Sequence, residues 1–154
     1  MKTIYLAGRF SPTKQEMEEI AAKEFFKGGA AETMNIEYII RMNVLNAAHA
    51  GALLAVAGEG RYFPVVPHTM TAQIWRKVKG LEPESDLCRS DSKFWYEGSL
   101  KLLESCDAIV MLPGWEESKG AEAERRYAIA DGLAYAEFNE ISLNDAERVI
   151  RELK

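Results

Sequence analysis

The chain reads as a doubly wound α/β domain, a parallel sheet of four to five strands with helices on both faces, and three observations predict it. Short apolar runs rich in strand formers alternate with longer segments of helical spacing. Gly or Pro punctuates most of the junctions. Strands that alternate with helices call for right-handed crossovers and a sheet covered on both sides. In such sheets ligands bind beyond the carboxyl ends of the strands, where the strand order reverses, so the loops after Ala7, Val66 and Leu112 are expected to converge.

Residues 3–7 are a short apolar run closed by Gly8, which predicts a buried first strand ending in a tight loop. Ser11-Pro12-Thr13 introduces a charged helical pattern over 15–27, with Met17, Ile20, Ala21 and Phe25 near helical spacing and Gly28-Gly29 as its stop. Apolar residues then recur through 36–57 as the broad stripe of a core-facing helix, expected to be the longest, which Gly58-Glu59-Gly60 ends. Residues 62–66 give a second strand, and Pro67-His68 stops it, leaving His68 in a loop. A short helix over 70–78 precedes a polar stretch, 80–91, whose Pro83 and acids predict a mobile loop suited to act as a lid.

Helical spacing returns over 94–105, and Asp107 leads into a third strand at 108–112. Pro113-Gly114-Trp115 breaks that strand. Ser118 opens a helix that runs to Asp131, with Ala121, Ala128 and Ala130 small enough for close packing on a sheet, and Gly132 stops it. Residues 133–138 are the fourth strand, and 142–153 form a final amphipathic helix capped by Ser142 or Asn144.

At 154 residues the chain suits a single domain, 1–154, with one core. Its 47% hydrophobic and 28% charged residues are an ordinary soluble, globular balance. A formal net charge of -5 argues against a nucleic acid polymer as partner, because such surfaces concentrate Lys and Arg; a single nucleotide needs only a few local donors. Cys88 and Cys106 read as reduced thiols, with Cys106 buried, and no His, Cys and carboxylate cluster shows ligand spacing, so neither a metal nor another cofactor is expected. The first residues show no signal-peptide pattern and no stretch approaches ~18 uninterrupted apolar residues, so a cytoplasmic protein without a membrane partner is expected.

The segment 118–124, Ser-Lys-Gly-Ala-Glu-Ala-Glu, carries the strongest chemical signal. With Ser118 as N-cap, the amides of Lys119, Gly120 and Ala121 point outward at the positive end of the helix, which makes an anion site. Gly120 lets a ligand approach the backbone, and the Ser118 hydroxyl either caps the helix or donates to a phosphate oxygen. Glu124 shares a face with Gly120 and Ala128. If that face looks at the sheet, Glu124 is a partly desolvated, oriented carboxylate near a helix N-terminus and a usable nucleophile; otherwise it is a surface ion-pair partner. Glu122 lies about 160° around the helix and is expected to pair with Arg125 or Arg126.

Two aromatic candidates follow from position. His68 after the second strand offers a hydrogen bond or a proton to a base, or is a satisfied structural histidine. Trp115 precedes the anion turn, where an indole stacks on a base or packs in the core; Trp75 and Trp95 lack such a placement, and His49 reads as structural.

The order Tyr5-Leu6-Ala7-Gly8, then Cys106-Asp107-Ala108-Ile109-Val110 leading to Ser118-x-Gly120-x-x-x-Glu124, resembles the nucleoside 2-deoxyribosyltransferase superfamily, which includes the deoxynucleoside 5'-monophosphate N-glycosidases. The fuller string from Leu112 to Ala121 is similar to its uncharacterised bacterial and phage members. The resemblance spans the sheet core and implies the flavodoxin- or Rossmann-like form of the fold. It implies that a glutamate at the position of Glu124 attacks the anomeric carbon and forms a glycosyl-enzyme ester, that Tyr5 assists near the glutamate and sugar, that Gly8 opens the ligand loop, and that Ser118 contacts a phosphate. Arg9 is offered on chemical grounds, since the family's loop arginine falls closer to Ser11.

Two departures accompany the resemblance. Ser99 stands where the hydrolases carry a catalytic aspartate, with Glu97, Asp91 and Asp107 as neighbouring carboxylates, and residues 11–35 form an insertion able to roof the pocket or make an oligomer contact. Relatives are commonly homo-oligomers. The expectation is an enzyme that cleaves the N-glycosidic bond of a nucleoside or nucleoside monophosphate, by hydrolysis or transfer; the alternative is a nucleotide-binding module of the same fold without catalysis.

Overall fold

The computed structural model describes residues 1–24, 30–89 and 92–154, excluding the side chains of 23, 24 and 30–34; Phe25, the Gly28-Gly29 stop and Asp91 lie outside the described residues. Four strands, β1 (Lys2–Ala7), β2 (Tyr62–Val65), β3 (Ala108–Met111) and β4 (Ala134–Glu137), form one all-parallel sheet in the order β2-β1-β3-β4. Helices α1 (Lys14–Glu24), α2 (Ala30–Ala57), α3 (Pro67–Leu81), α4 (Lys93–Leu103), α5 (Lys119–Ala130) and α6 (Leu143–Glu152) connect and follow them. The doubly wound α/β reading holds, with four strands among the described residues.

Strand alternation sorts the core into two layers. Ile4, Leu6, Ala108 and Val110 face Ala47, Ala50 and Leu54 of α2 and Ala146, Val149 and Ile150 of α6. Tyr5, Ala7, Ile109 and Met111 face the other way, onto Leu103 of α4 and Ala121 and Ala128 of α5. Both sides of β1 and β3 are therefore dry, which is why these two strands are apolar nearly throughout. The chain leaves β1 for β2 on one side and then crosses back to β3 on the other. That reversal opens a crevice between the loops after β1 and β3.

Local sequence fixes the edges of this frame. Thr13 and Glu16 form a reciprocal capping box at the start of α1: the Glu16 amide donates to Thr13 Oγ1 at 3.0 Å and the Thr13 amide to Glu16 Oε2 at 2.8 Å. Gly8 is required by packing, because a Cβ there would lie 2.9 Å from Leu112 Cδ1 and 3.0 Å from its Cβ. The final helix takes Ser142 as its cap, its Oγ accepting from the Asp145 amide.

Two expectations change, and one helix stands out. Pro67 does not stop the chain in a loop; it opens α3, since a proline at the first helical position gives up an amide that would be unpaired anyway, and His68 sits in the first turn of that helix. The mobile loop expected over 80–91 is, in its described part, the end of α3 and a pinned turn. The 3-10 turn Asp86–Cys88 is capped by Ser85, and the indoles of Trp75 and Trp95 donate to the Cys88 and Leu87 carbonyls, each at 2.8 Å. Finally, Asn35–Ala57 of α2, interrupted by a few polar residues, is long and apolar enough by length and composition to cross a membrane, although Ala47, Ala50 and Leu54 within it belong to the sheet core.

Replacing Gly8 by Ala is expected to overpack the Leu112 contact and cost about 1–3 kcal/mol. In denaturant unfolding, adding Leu112→Ala is expected to recover part of that loss; strictly additive losses would mean that Leu112 is not the constraint.

Candidate active site

Glu124 reaches the sheet because α5 follows β3 after a short connection that includes the 3-10 turn Trp115–Glu117. Ser118 has extended backbone angles and caps α5, its Oγ accepting from the Ala121 amide at 3.3 Å. Ala121, Glu124 and Ala128 then fall on one face, and all three are buried. Small residues on either side of Glu124 let that face lie close to β1 and β3. Tyr5 points to the same layer by strand parity, and its phenol donates to Glu124 Oε1 at 2.7 Å in a buried hydrogen bond.

Burial dominates the electrostatics of this pair. Only 8% of Glu124 is exposed, and desolvation pushes its carboxyl up from the ordinary range to about 7, with the Tyr5 hydrogen bond pulling the other way. The partial charge at the start of α5, expected to favour ionisation, does not outweigh this. The Tyr5 phenol is itself held well above its ordinary value, first by burial and then by the charge of Glu124, with Ser99 acting in the opposite direction. Near neutrality Glu124 thus exists both as carboxylate and as acid, oriented by a phenol that keeps its proton.

The pair borders a cleft of about 960 Å3 at the carboxyl ends of the strands. As expected, the three loops converge here: Gly8, Arg9 and Phe10 after β1, Pro67 and His68 after β2, and residues 117–121 after β3. Ser11, Pro12, Met17, Ile36 and Ile40 add a wall from the insertion and the start of α2. Gly120 lines the cleft, and a Cβ on it would meet no atom nearer than Ser118 Oγ at 3.8 Å, so its missing side chain leaves space on the ligand side. The Ser118 oxygen accepts the Ala121 amide, which removes that amide from the expected anion cradle but leaves the hydroxyl proton for a ligand.

His68 is buried, and its Nε2 lies 3.1 Å from the Gly8 carbonyl. A carbonyl only accepts, so Nε2 carries the proton, and Nδ1 is a bare acceptor with no partner among the described residues. Burial lowers the imidazole pKa, so His68 is neutral and is suited to accept a hydrogen bond rather than to supply the proton considered from sequence. Arg9 lines the cleft with its fork on Glu16 at 3.0 and 3.2 Å and a longer contact to Glu117 at 3.4 Å. Its charge ties the β1 loop to α1, and a phosphate would share it with two carboxylates.

Trp115 is not brought into the cleft wall. Its ring packs in the α5-side layer under the Arg125 guanidinium, 5.0 Å from the centroid, and its Nε1 donates to Glu137 at 3.4 Å. Trp75 and Trp95, read from sequence as having no such placement, both line the cleft, with Phe10 standing edge-on to Trp75 at 5.8 Å. The signal was present: Trp75 lies seven residues after His68 on α3, and Trp95 four before Ser99 on α4, each pair on one helical face. Starting α3 at Pro67 would have exposed the first relation.

Ser99 lines the cleft beside Tyr5, where the resemblance places an aspartate. Asp107 does not compensate: its Oδ2 accepts from the Thr3 amide at 2.6 Å and the Thr3 hydroxyl at 2.9 Å at the amino end of the sheet, and these bonds lower its pKa. Glu97 is exposed and pairs with Lys93 at 3.3 Å, outside the cleft wall. Glu122 pairs with Arg126 at 3.8 Å, as expected of the solvated member of the two glutamates on α5. Among the described residues, no group of three or more His, Cys, Asp or Glu side chains is placed to hold a metal ion.

The fold and this site define a parallel α/β protein with a desolvated carboxylate at its topological switch point. Residues 90–136, covering α4, β3, the Ser118 turn and α5, match the model of a domain of unknown function (DUF4406). No curated protein and no solved structure matches the chain.

Because the folded pKa of Glu124 is raised, the unfolded chain releases this proton first, and stability is lost as pH climbs from about 4.5 to about 7. The full cost is about 3 kcal/mol. Glu124→Gln is therefore expected to raise the melting temperature at pH 8 and to change it little at pH 4.5; equal effects at both pH values would refute the buried charge.

Proposed function

We propose that this chain cleaves the N-glycosidic bond of a nucleoside or nucleotide, with Glu124 as nucleophile. The observation that carries the reading is the buried Tyr5–Glu124 pair, whose carboxylate lines a nucleotide-sized cleft. In this mechanism the Glu124 carboxylate bonds to the anomeric carbon while the carbon–nitrogen bond breaks and its electron pair leaves with the base. Water or a second base then opens the ester. Tyr5 holds the carboxylate in line. The Ser118 hydroxyl and the first amides of α5, with Lys119 beside them, offer donors to a 5'-phosphate, which favours a monophosphate over a free nucleoside.

Free base is expected to appear when the protein is incubated with a panel of nucleosides and their monophosphates, and Glu124→Ala is expected to reduce its release by several orders of magnitude. The nucleophile must be ionised, so kcat/KM is expected to rise with pH through about 7. Tyr5→Phe deletes the hydrogen bond that favours the ionised form and is expected to shift that rise to higher pH; an unshifted profile would argue against Glu124 as the titrating group.

Ser99 favours a second reading, a nucleotide-binding module of the same fold that lacks turnover. It would bind a monophosphate in the cleft, release no base, and be indifferent to Glu124→Ala except in affinity.

A further inference from the structure

His68 lines the cleft and is only 8% exposed, yet half of its hydrogen-bonding capacity is unused. Its Nε2 donates to the Gly8 carbonyl at 3.1 Å, which fixes the tautomer, and burial keeps the ring neutral. Nδ1 is thereby obliged to accept, and it is buried without a partner among the described residues. An acceptor left unpaired in such a place costs free energy that a satisfied or apolar side chain would not. Holding the β1 loop through Gly8 does not account for it. A glutamine could set its amide nitrogen where Nε2 stands and grip the same carbonyl with no nitrogen at the Nδ1 position.

The surroundings of this nitrogen suit a flat ring. Phe10 stands tilted against the imidazole at 5.9 Å and edge-on to Trp75 at 5.8 Å. Trp75 and Trp95 line the same cleft, and both of their indole N–H groups are already taken by the Cys88 and Leu87 carbonyls. What remains is carbon surface, in rings that cannot turn without breaking a hydrogen bond. The indoles therefore offer stacking or edge contact but no polar discrimination. A heteroaromatic ring held among them is told from its analogues at His68.

We infer that His68 selects a base with an exocyclic amine, which donates to Nδ1 from within the cleft. The inference rests on the proposed nucleoside or nucleotide ligand and names the class of its base, but it does not require turnover. Two features point to an amine rather than to a ring N–H. Nδ1 is recessed below the cleft surface, so a donor reaches it only by projecting from its ring, as the amino group of adenine or cytosine does. The ring N–H of hypoxanthine or uracil does not project, and it is flanked by carbonyl oxygen, which would be brought against the lone pair of Nδ1 and repelled.

Calorimetry on Glu124→Gln, which leaves the ligand intact, compares the 5'-monophosphates of adenosine, inosine and purine riboside, and of cytidine and uridine, each in the ribose and 2'-deoxyribose series. In the tighter-binding of the two groups, the amino compound is expected to bind at least about 100-fold more tightly than its keto partner. Purine riboside, which lacks only the amine, is expected to fall behind adenosine in the same way. Adding His68→Gln keeps a donor toward Gly8 but removes the acceptor, and is expected to abolish the preference. His68→Asn retains an acceptor at the level of Nδ1 and is expected to preserve it. A merely structural histidine would let His68→Gln weaken all the ligands alike, with their ratios unchanged. Equal affinity for amino and keto compounds, a preference that survives His68→Gln, or no binding of any of them overturns the assignment. Base release from the wild-type chain is scored separately. Its absence with the preference intact refutes the N-glycosidase and leaves the role of His68 standing, while release with no base preference does the reverse.

Discussion

The hydrogen bond from Tyr5 to Glu124 sets the terms for the rest of the site. A carboxylate this well buried is unfavourable when charged unless something donates to it, and the phenol is the donor the described structure supplies. The bond requires β1 to present Tyr5 on the α5 side, β3 to stop in time for Ser118 to cap α5, and small residues on either side of Glu124 so that the helix lies close. Each of these conditions is met by residues that otherwise look like ordinary core. The site is therefore embedded in the packing rather than set upon it.

The sheet was legible because its signals are local. Continuous apolar runs bounded by glycine or proline locate β1 and β3 whatever the rest of the chain does. The same holds for the Ser118 cap; spacing also sets Gly120, Glu124 and Ala128 on one face, but only the fold turns that face to the sheet. The segment after β2 was less legible. Proline reads as a breaker after a strand and as an opener before a helix, and only the apolar face that follows, from His68 to Trp75, separates the two.

Long-range partners account for what the sequence concealed. The polar stretch around residues 82–89 has the composition of a free loop, yet two indoles from flanking helices hold its carbonyls. Trp115 stands next to the anion turn in the chain, yet Arg125 and Glu137 take its ring away from the cleft. Arg9 has the charge a phosphate seeks, and Glu16 claims it first. In each case a residue type was read correctly and its partner, chosen by the fold, decided what it does. The shift of Glu124 belongs to the same class, since the depth of burial that causes it cannot be read from spacing.

The strand order also bears on how the molecule comes into being. β1 is synthesised before its central neighbour β3, which pairs with it across about a hundred residues, as the Thr3–Asp107 bond and the Tyr5–Glu124 bond both illustrate. Loop closure over such a span is slow, and until it happens β1 has only the edge strand β2 and the apolar α2 for company. A ribosome that has not yet released residue 111 holds a chain in which one edge of β1 is unpaired. For that interval the exposed backbone of β1 is a site for a chaperone or for another nascent chain, and the protein's vulnerability lies in the time before β3 arrives.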